Sequence, residues 1–146
     1  MLRLASERDA LSVIDDQVGA PTNAAWLADM TAQIIGSPAS GVFHATSAGE
    51  VSWHGYASYL IAKARSMGFP IKVGPESIRA VASSEYVTAA KRPHSSRLDC
   101  SKLKTMFGHL AGIMAQDFQT DVGGIPQRVE TAEPEPEDRL SLRRRH

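Results

Sequence analysis

The chain has 146 residues, 42% hydrophobic and 22% charged, a composition that supports one globular domain with its own core. Its 16 Lys and Arg balance 16 Asp and Glu, so no net positive field favours nucleic acid or an anionic membrane. One cysteine, Cys100, excludes an internal disulfide framework and a multi-cysteine metal site, and without a membrane-length apolar run or a signal peptide the expected location is the cytoplasm.

Residues 1–8 read as the last turns of a helix, with Leu2, Leu4 and Ala5 apolar and no cap in front. That abrupt start raises the expectation of absent upstream sequence. A strand is expected at 11–14, where Val13 and Ile14 are β-branched. It feeds a polar loop, Asp15-Asp16-Gln17-Val18-Gly19-Ala20-Pro21-Thr22, with two acids and an amide at its entry. Gly19 permits a positive φ or a close backbone approach, and Pro21 fixes φ beside Thr22, the expected helix cap. Strand, polar loop and helix start make a βα junction, where α/β proteins commonly hold ligands. A capped loop with solvated acids is the alternative.

Trp26, Met30 and Ile34, with Leu27 beside them, predict a helix over 23–35 that Gly36 and Pro38 end. Asp29 falls on its wet side. Residues 41–46 have strand propensity; His44 reads there as a packed strand residue rather than a metal ligand, since no other ligand type stands at suitable spacing. Ser52 is a good N-cap for the next helix. Its inward stripe is Trp53, Tyr56, Ala57, Leu60, Ile61, Ala64 and Met67, and Gly68 stops it. A connecting strand is expected at 69–73, then a loop with at most a helical turn at 74–84.

Residues 86–98 follow neither period and carry Lys91, Arg92 and Arg97 among hydroxyl donors. Extended backbone before Pro93 would spread these donors along one surface, which suits a diphosphate; a solvated basic loop fits the composition equally. Asp99 should cap a helix over 100–107 with Leu103, Met106 and Phe107 inward, and 111–122 reads as the last helix. Beyond it, prolines and alternating acids leave little to bury, so 123–146 is expected to be a disordered tail ending in a solvated Arg143-Arg144-Arg145 run.

Tyr59 and Lys63 have the spacing by which short-chain dehydrogenases set a catalytic tyrosine beside its lysine. Both fall opposite the Trp53–Leu60–Met67 stripe, so a solvent-exposed pair is the simpler account. No glycine fingerprint follows a strand, and no nucleophile elbow or metalloprotease motif is present. No catalytic, cofactor-binding or metal-binding residue is therefore assigned.

Three spaced blocks carry a family resemblance. The first runs from Val13 to Thr22. The second joins Gly41-Val42-Phe43-His44 and Gly49 to Ser52-Trp53-His54-Gly55-Tyr56-Ala57. The third is Arg92-Pro93-His94-Ser95-Ser96-Arg97-Leu98 with Lys102-Leu103. On these the chain resembles, over residues 1–122, the C-terminal half of the dTDP-4-dehydrorhamnose reductases, extended short-chain dehydrogenase/reductases with an RmlD-like substrate-binding lobe. Val87-Thr88-Ala89, Ser95 and Phe118-Gln119 depart from the family pattern.

The resemblance implies an α/β fold: a C-terminal substrate-binding lobe plus the terminal part of a Rossmann-type NAD(P)-binding fold, without the N-terminal cofactor half. The activity implied is reduction of dTDP-4-dehydro-L-rhamnose to dTDP-L-rhamnose with NADPH (or NADH), the cofactor site and the catalytic Tyr/Lys pair lying in that other half. It also implies a substrate-binding set. Arg92 would grip the diphosphate through its planar fork, Gln17 would contact the sugar, and Asp16 and Ser96 belong to the same matched blocks. Arg97 would anchor the loop and Lys91 face solvent. The partners implied are a dTDP-sugar and the Rossmann half or a homologous subunit, with no nucleic acid or membrane. A non-catalytic regulatory or interaction subunit of the same fold is the alternative.

Overall fold

Leu11 and Val13 are buried and Ser12 is exposed, the period-two burial of a strand wetted on one face. The computed structural model describes residues 1–86, 90 and 92–108. The element order is α1 (Leu2–Glu7), β1 (Leu11–Ile14), β2 (Val18–Gly19), α2 (Ala24–Ile35), β3 (Val51–Ser52), α3 (Trp53–Ser66), β4 (Ile78–Val81) and α4 (Ser101–Phe107). β1 and β4 run parallel, Leu11 opposite Ile78 and Ile14 opposite Val81, so the chain between them crosses over through α2 and α3. The fold is α/β, as expected.

The first core cluster lies between α3 and the strand pair: Ala5, Leu11, Val13, Ala57, Ile61, Val73 and Ile78. Ser52 caps α3, its Oγ accepting from Gly55 N at 3.0 Å, and Gly68 follows the helix end at φ +83°, a conformation that favours glycine. The buried stripe is Ala57, Ile61 and Ala64, narrower than expected, with Trp53 and Met67 exposed at its ends. Length explains this. Fourteen helical residues span about 21 Å, whereas the four-residue strands below span only about 13 Å.

The strand expected at 69–73 does not form. Lys72 N and Val73 N both donate to Ala5 O, at 3.0 and 3.1 Å, which ties the segment to the end of α1 instead of to a ladder. The real second strand is β4, in a stretch expected to be loop; its burial runs inward, out, out, inward, so no alternation announced it.

The second core cluster joins α2 to α4 through Trp26, Met30, Leu103 and Phe107. Asn23, not Thr22, caps α2, its Oδ1 accepting from Ala25 N at 2.7 Å and Trp26 N at 3.3 Å. Thr22 instead donates to Ala20 O at 2.9 Å and accepts from Ser47 N at 3.1 Å, tying the loop to its neighbour. Leu27 is exposed, as is Met106 of α4. Residues 42–47 hold no strand: Phe43 packs edge-to-face on Phe107, centroids 5.9 Å apart, and Lys102 Nζ sits 4.1 Å over the Phe43 ring. His44 is exposed, its Nδ1 3.3 Å from Asp99 O, not packed in a strand. Asp99 serves α4 from one position before its cap residue Cys100, accepting from Ser101 N at 2.8 Å. The helix expected at 111–122 and the tail at 123–146 lie outside the described residues.

Candidate functional site

β1 ends at Ile14, and the acids that follow are engaged at once. Asp15 Oδ1 accepts from Ser52 Oγ at 2.5 Å, with His54 Nδ1 3.7 Å away; His54 Nε2 in turn lies 3.1 Å from Ile78 O. Asp16 accepts from Ser83 N at 2.9 Å and Ser83 Oγ at 2.8 Å, and its backbone carbonyl from His94 Nδ1 at 3.0 Å. The Ser83 hydroxyl, then its amide, hold the Asp16 carboxyl below its ordinary pKa of 3.8. Asp16 therefore braces β1 and β4 to the Arg92 loop in this structure.

β2 lies between two partners. It pairs antiparallel with β3, and on its other side Val18 N donates to His94 O at 2.8 Å while Ser96 N donates to Val18 O at 2.9 Å. A Cβ on Gly19 would stand 2.8 Å from Ser96 Oγ, so any larger residue there must displace that hydroxyl; the Gly19 φ is not positive. Ser96 faces this contact, its Oγ donating to Val18 O at 3.3 Å.

Gln17, only 8% exposed, lines a cavity of about 640 Å³ over α1 and β1. Arg92 lines the same cavity from the far side of the sequence, with Trp53, Tyr86, Arg8 and Arg79. No acid is among its described lining residues. Arg79 Nη2 stands 3.6 Å from Glu85 Oε2 in an exposed pair that solvent screens. Arg92 is exposed, and among the described residues its guanidinium has no hydrogen-bond or ion-pair partner. Of the four expected substrate residues, then, Arg92 and Gln17 share a cavity, while Asp16 and Ser96 hold the backbone beside it.

A second cavity, about 670 Å³, opens across the loop and is lined by Ser47, Glu50, Ser95, Arg97, Asp99 and Lys104 among others. Arg97 donates to Glu50 and, at 3.4 Å, to Ser95 Oγ. The loop's cations are thus divided between two cavities rather than spread along one surface; Lys91 lies outside the described residues. Tyr59 is half-buried and Lys63 exposed, and neither lines these cavities. Among the described residues no cluster of metal-ligating side chains occurs, and no helix is long and apolar enough to cross a membrane.

Sequence reasoning missed Trp53, Tyr86, Arg8 and Arg79. Trp53 counted as core because its spacing fits the α3 stripe; its place in the first turn, where the sheet no longer covers the helix, is the signal that could have freed it.

The RmlD substrate binding domain model matches residues 1–129. The chain is 39% identical over 127 residues to the dTDP-4-dehydrorhamnose reductase of Escherichia coli K12, covering 84% of this chain and 40% of that relative. Against the Salmonella typhimurium reductase it is 43% identical over 112 residues, 73% of this chain and 37% of the relative. The chain spans about two fifths of the length of these curated relatives. Among solved structures, the dTDP-4-dehydrorhamnose reductase from Bacillus anthracis in complex with NADP superposes with TM-score 0.63 at 30% identity, over 72% of this chain and 34% of that one. The ortholog from Clostridium acetobutylicum gives TM-score 0.63 at 28% identity, over 82% and 39%. With the α/β fold, the matched residues and these relatives in agreement, the chain belongs to the RmlD substrate binding domain family.

Proposed function

We propose that this chain is the sugar-nucleotide-binding lobe of a cytoplasmic dTDP-4-dehydrorhamnose reductase, which reduces dTDP-4-dehydro-L-rhamnose to dTDP-L-rhamnose with NADPH. The observation that carries this is the meeting of Gln17 and Arg92, unpartnered among the described residues, in one cavity whose described charged lining is all arginine. Arg92 places two parallel N–H donors on the diphosphate, which lysine cannot reproduce. Gln17, buried beside β1, presents an amide to the sugar. Asp16 and Ser96 act on this site through the backbone they fix, Asp16 at the loop entry and Ser96 against Gly19.

The described residues do not fit the dinucleotide. Acids, not a glycine-rich turn, follow β1, and the first amides of α2 and α3 are taken by Asn23 and Ser52. The hydride therefore comes from a cofactor held by the part of the relatives that this chain does not span. β1 suits a junction with that part, because among the described residues it has a strand on one side only.

The test supplies the remaining part by fusion to the corresponding segment of the Escherichia coli relative and titrates dTDP-L-rhamnose by calorimetry. Arg92→Ala should bind about tenfold to hundredfold more weakly, roughly 1.5–3 kcal/mol for a lost charge-assisted contact. A folded Arg92→Ala protein with wild-type affinity would make the loop structural and remove Arg92 from the site.

A further inference from the structure

Resting on that reading, we infer that Trp53, which lines the same cavity as Tyr86, is the platform on which the nucleoside base of the ligand stacks, while Arg92 holds its diphosphate. Trp53 is 48% exposed and Tyr86 49%, though aromatic side chains of this size are ordinarily well covered. Both line the cavity that holds Arg92 and Gln17. Trp53 is the first residue of α3 and lies outside that helix's buried set of Ala57, Ile61 and Ala64.

The ring is half exposed and fixed at two points. Its backbone N donates to Gln17 O at 3.3 Å, and its indole meets Tyr56 edge-to-face, centroids 6.4 Å and planes 73° apart. A half-exposed indole fixed through Tyr56 and its backbone, in a cavity that Arg8, Arg79 and Arg92 also line, has the parts a nucleoside diphosphate needs. A base finds a flat apolar surface and two phosphates find cations. Stacking does not identify the base; the ligand class is a nucleoside diphosphate.

The cavity's twin lacks these parts: none of its described lining residues is aromatic, and its two cations share it with Glu50 and Asp99. Trp26 also gives a clean reference, since it is 5% exposed in the second core cluster. Quenching confined to the solvent-exposed part of the emission can therefore be assigned to Trp53.

The experiment titrates the chain with dTDP and, separately, with inorganic pyrophosphate, following tryptophan emission and calorimetric affinity. dTDP should bind at least tenfold more tightly than pyrophosphate and quench the exposed fraction of the emission, which pyrophosphate leaves nearly unchanged. Trp53→Ala should weaken dTDP about tenfold while pyrophosphate binds as before, and Trp53→Phe should keep dTDP affinity within about threefold. Pyrophosphate binding without any preference for dTDP overturns the platform and leaves Arg92 as a diphosphate contact. Binding of neither anion overturns both. Loss of both ligands together in Trp53→Ala makes Trp53 a packing residue and overturns the platform as well.

Discussion

The two cavities are nearly equal in volume and share one loop, yet they differ in chemistry. The first sets Arg8, Arg92 and an Arg79 already paired with Glu85 around Trp53, Tyr86 and Gln17, with no acid among its described lining residues. The second sets Arg97 and Lys104 against Glu50 and Asp99, and its arginine is already bound to Glu50. An exposed arginine with a carboxylate partner is a fastening, while one without a partner keeps its fork free for a ligand. Arg92 and Arg97 stand five positions apart and serve opposite ends of that contrast. What separates them is the stretch 94–96 along β2, anchored by His94 and Ser96 to Val18.

The largest effects should come from the cores beneath. Ile61 and Leu103 are both fully buried, one in each core cluster. Ile61→Ala and Leu103→Ala should each lower unfolding free energy by about 2–5 kcal/mol in urea titrations. The comparison predicts a further difference. Below the unfolding range, Ile61→Ala should also weaken pyrophosphate binding, because α3 carries Trp53, whereas Leu103→Ala should not. Equal losses of affinity would show that the two halves transmit strain to one another.

Next in size is the pair of arginines. In the chain alone, Arg92→Ala should weaken pyrophosphate about tenfold or more, and Arg97→Ala by no more than about twofold. The reverse order would mean that Glu50 yields Arg97 to the ligand and that the second cavity is the anion site.

How much of this was readable from the residues alone depends on whether the signal is local. The spans of α2, α3 and α4 follow from 3.6-residue spacing, and the Ser52 cap and the Gly68 stop lie where their chemistry puts them. β4 was hidden because Ile78-Arg79-Ala80-Val81 has apolar ends around a charged residue and an alanine, and its strand character comes only from lying beside β1. Residues 41–46 erred the other way: Val42, Phe43 and Thr46 favour a strand, but Phe43 finds Phe107 and Lys102 instead of a ladder. The site was half legible. Gln17 and Arg92 stood out as polar groups in matched blocks, whereas Arg8, Arg79, Trp53 and Tyr86 join them only through tertiary packing, which no spacing encodes.

The smallest effect concerns the acids that flank the two cavities, and it separates bracing from binding. Asp16 beside the first cavity and Asp99 in the lining of the second both have carboxyls held below the ordinary 3.8, by Ser83 and by Ser101 respectively. A carboxyl whose folded pKa lies below its unfolded value stabilises the fold above that unfolded value, and the contribution fades as pH falls through the folded one. Urea midpoints followed downward from neutral pH should therefore hold until about pH 3.8 and then drop. Ser83→Ala and Ser101→Ala each remove the main cause at one acid, so each should make that drop shallower by a similar amount. At neutral pH the two should part. Asp16 ties the Arg92 loop to β4 through Ser83, so Ser83→Ala should weaken pyrophosphate about twofold to threefold, within the modest worth of one hydrogen bond. Ser101→Ala acts at the start of α4 and should leave pyrophosphate affinity unchanged. If Ser83→Ala alters the acid limb yet leaves affinity untouched, the Asp16 carboxylate stabilises the fold without positioning Arg92, and the loop is placed by its bonds to Val18 and to the Asp16 carbonyl.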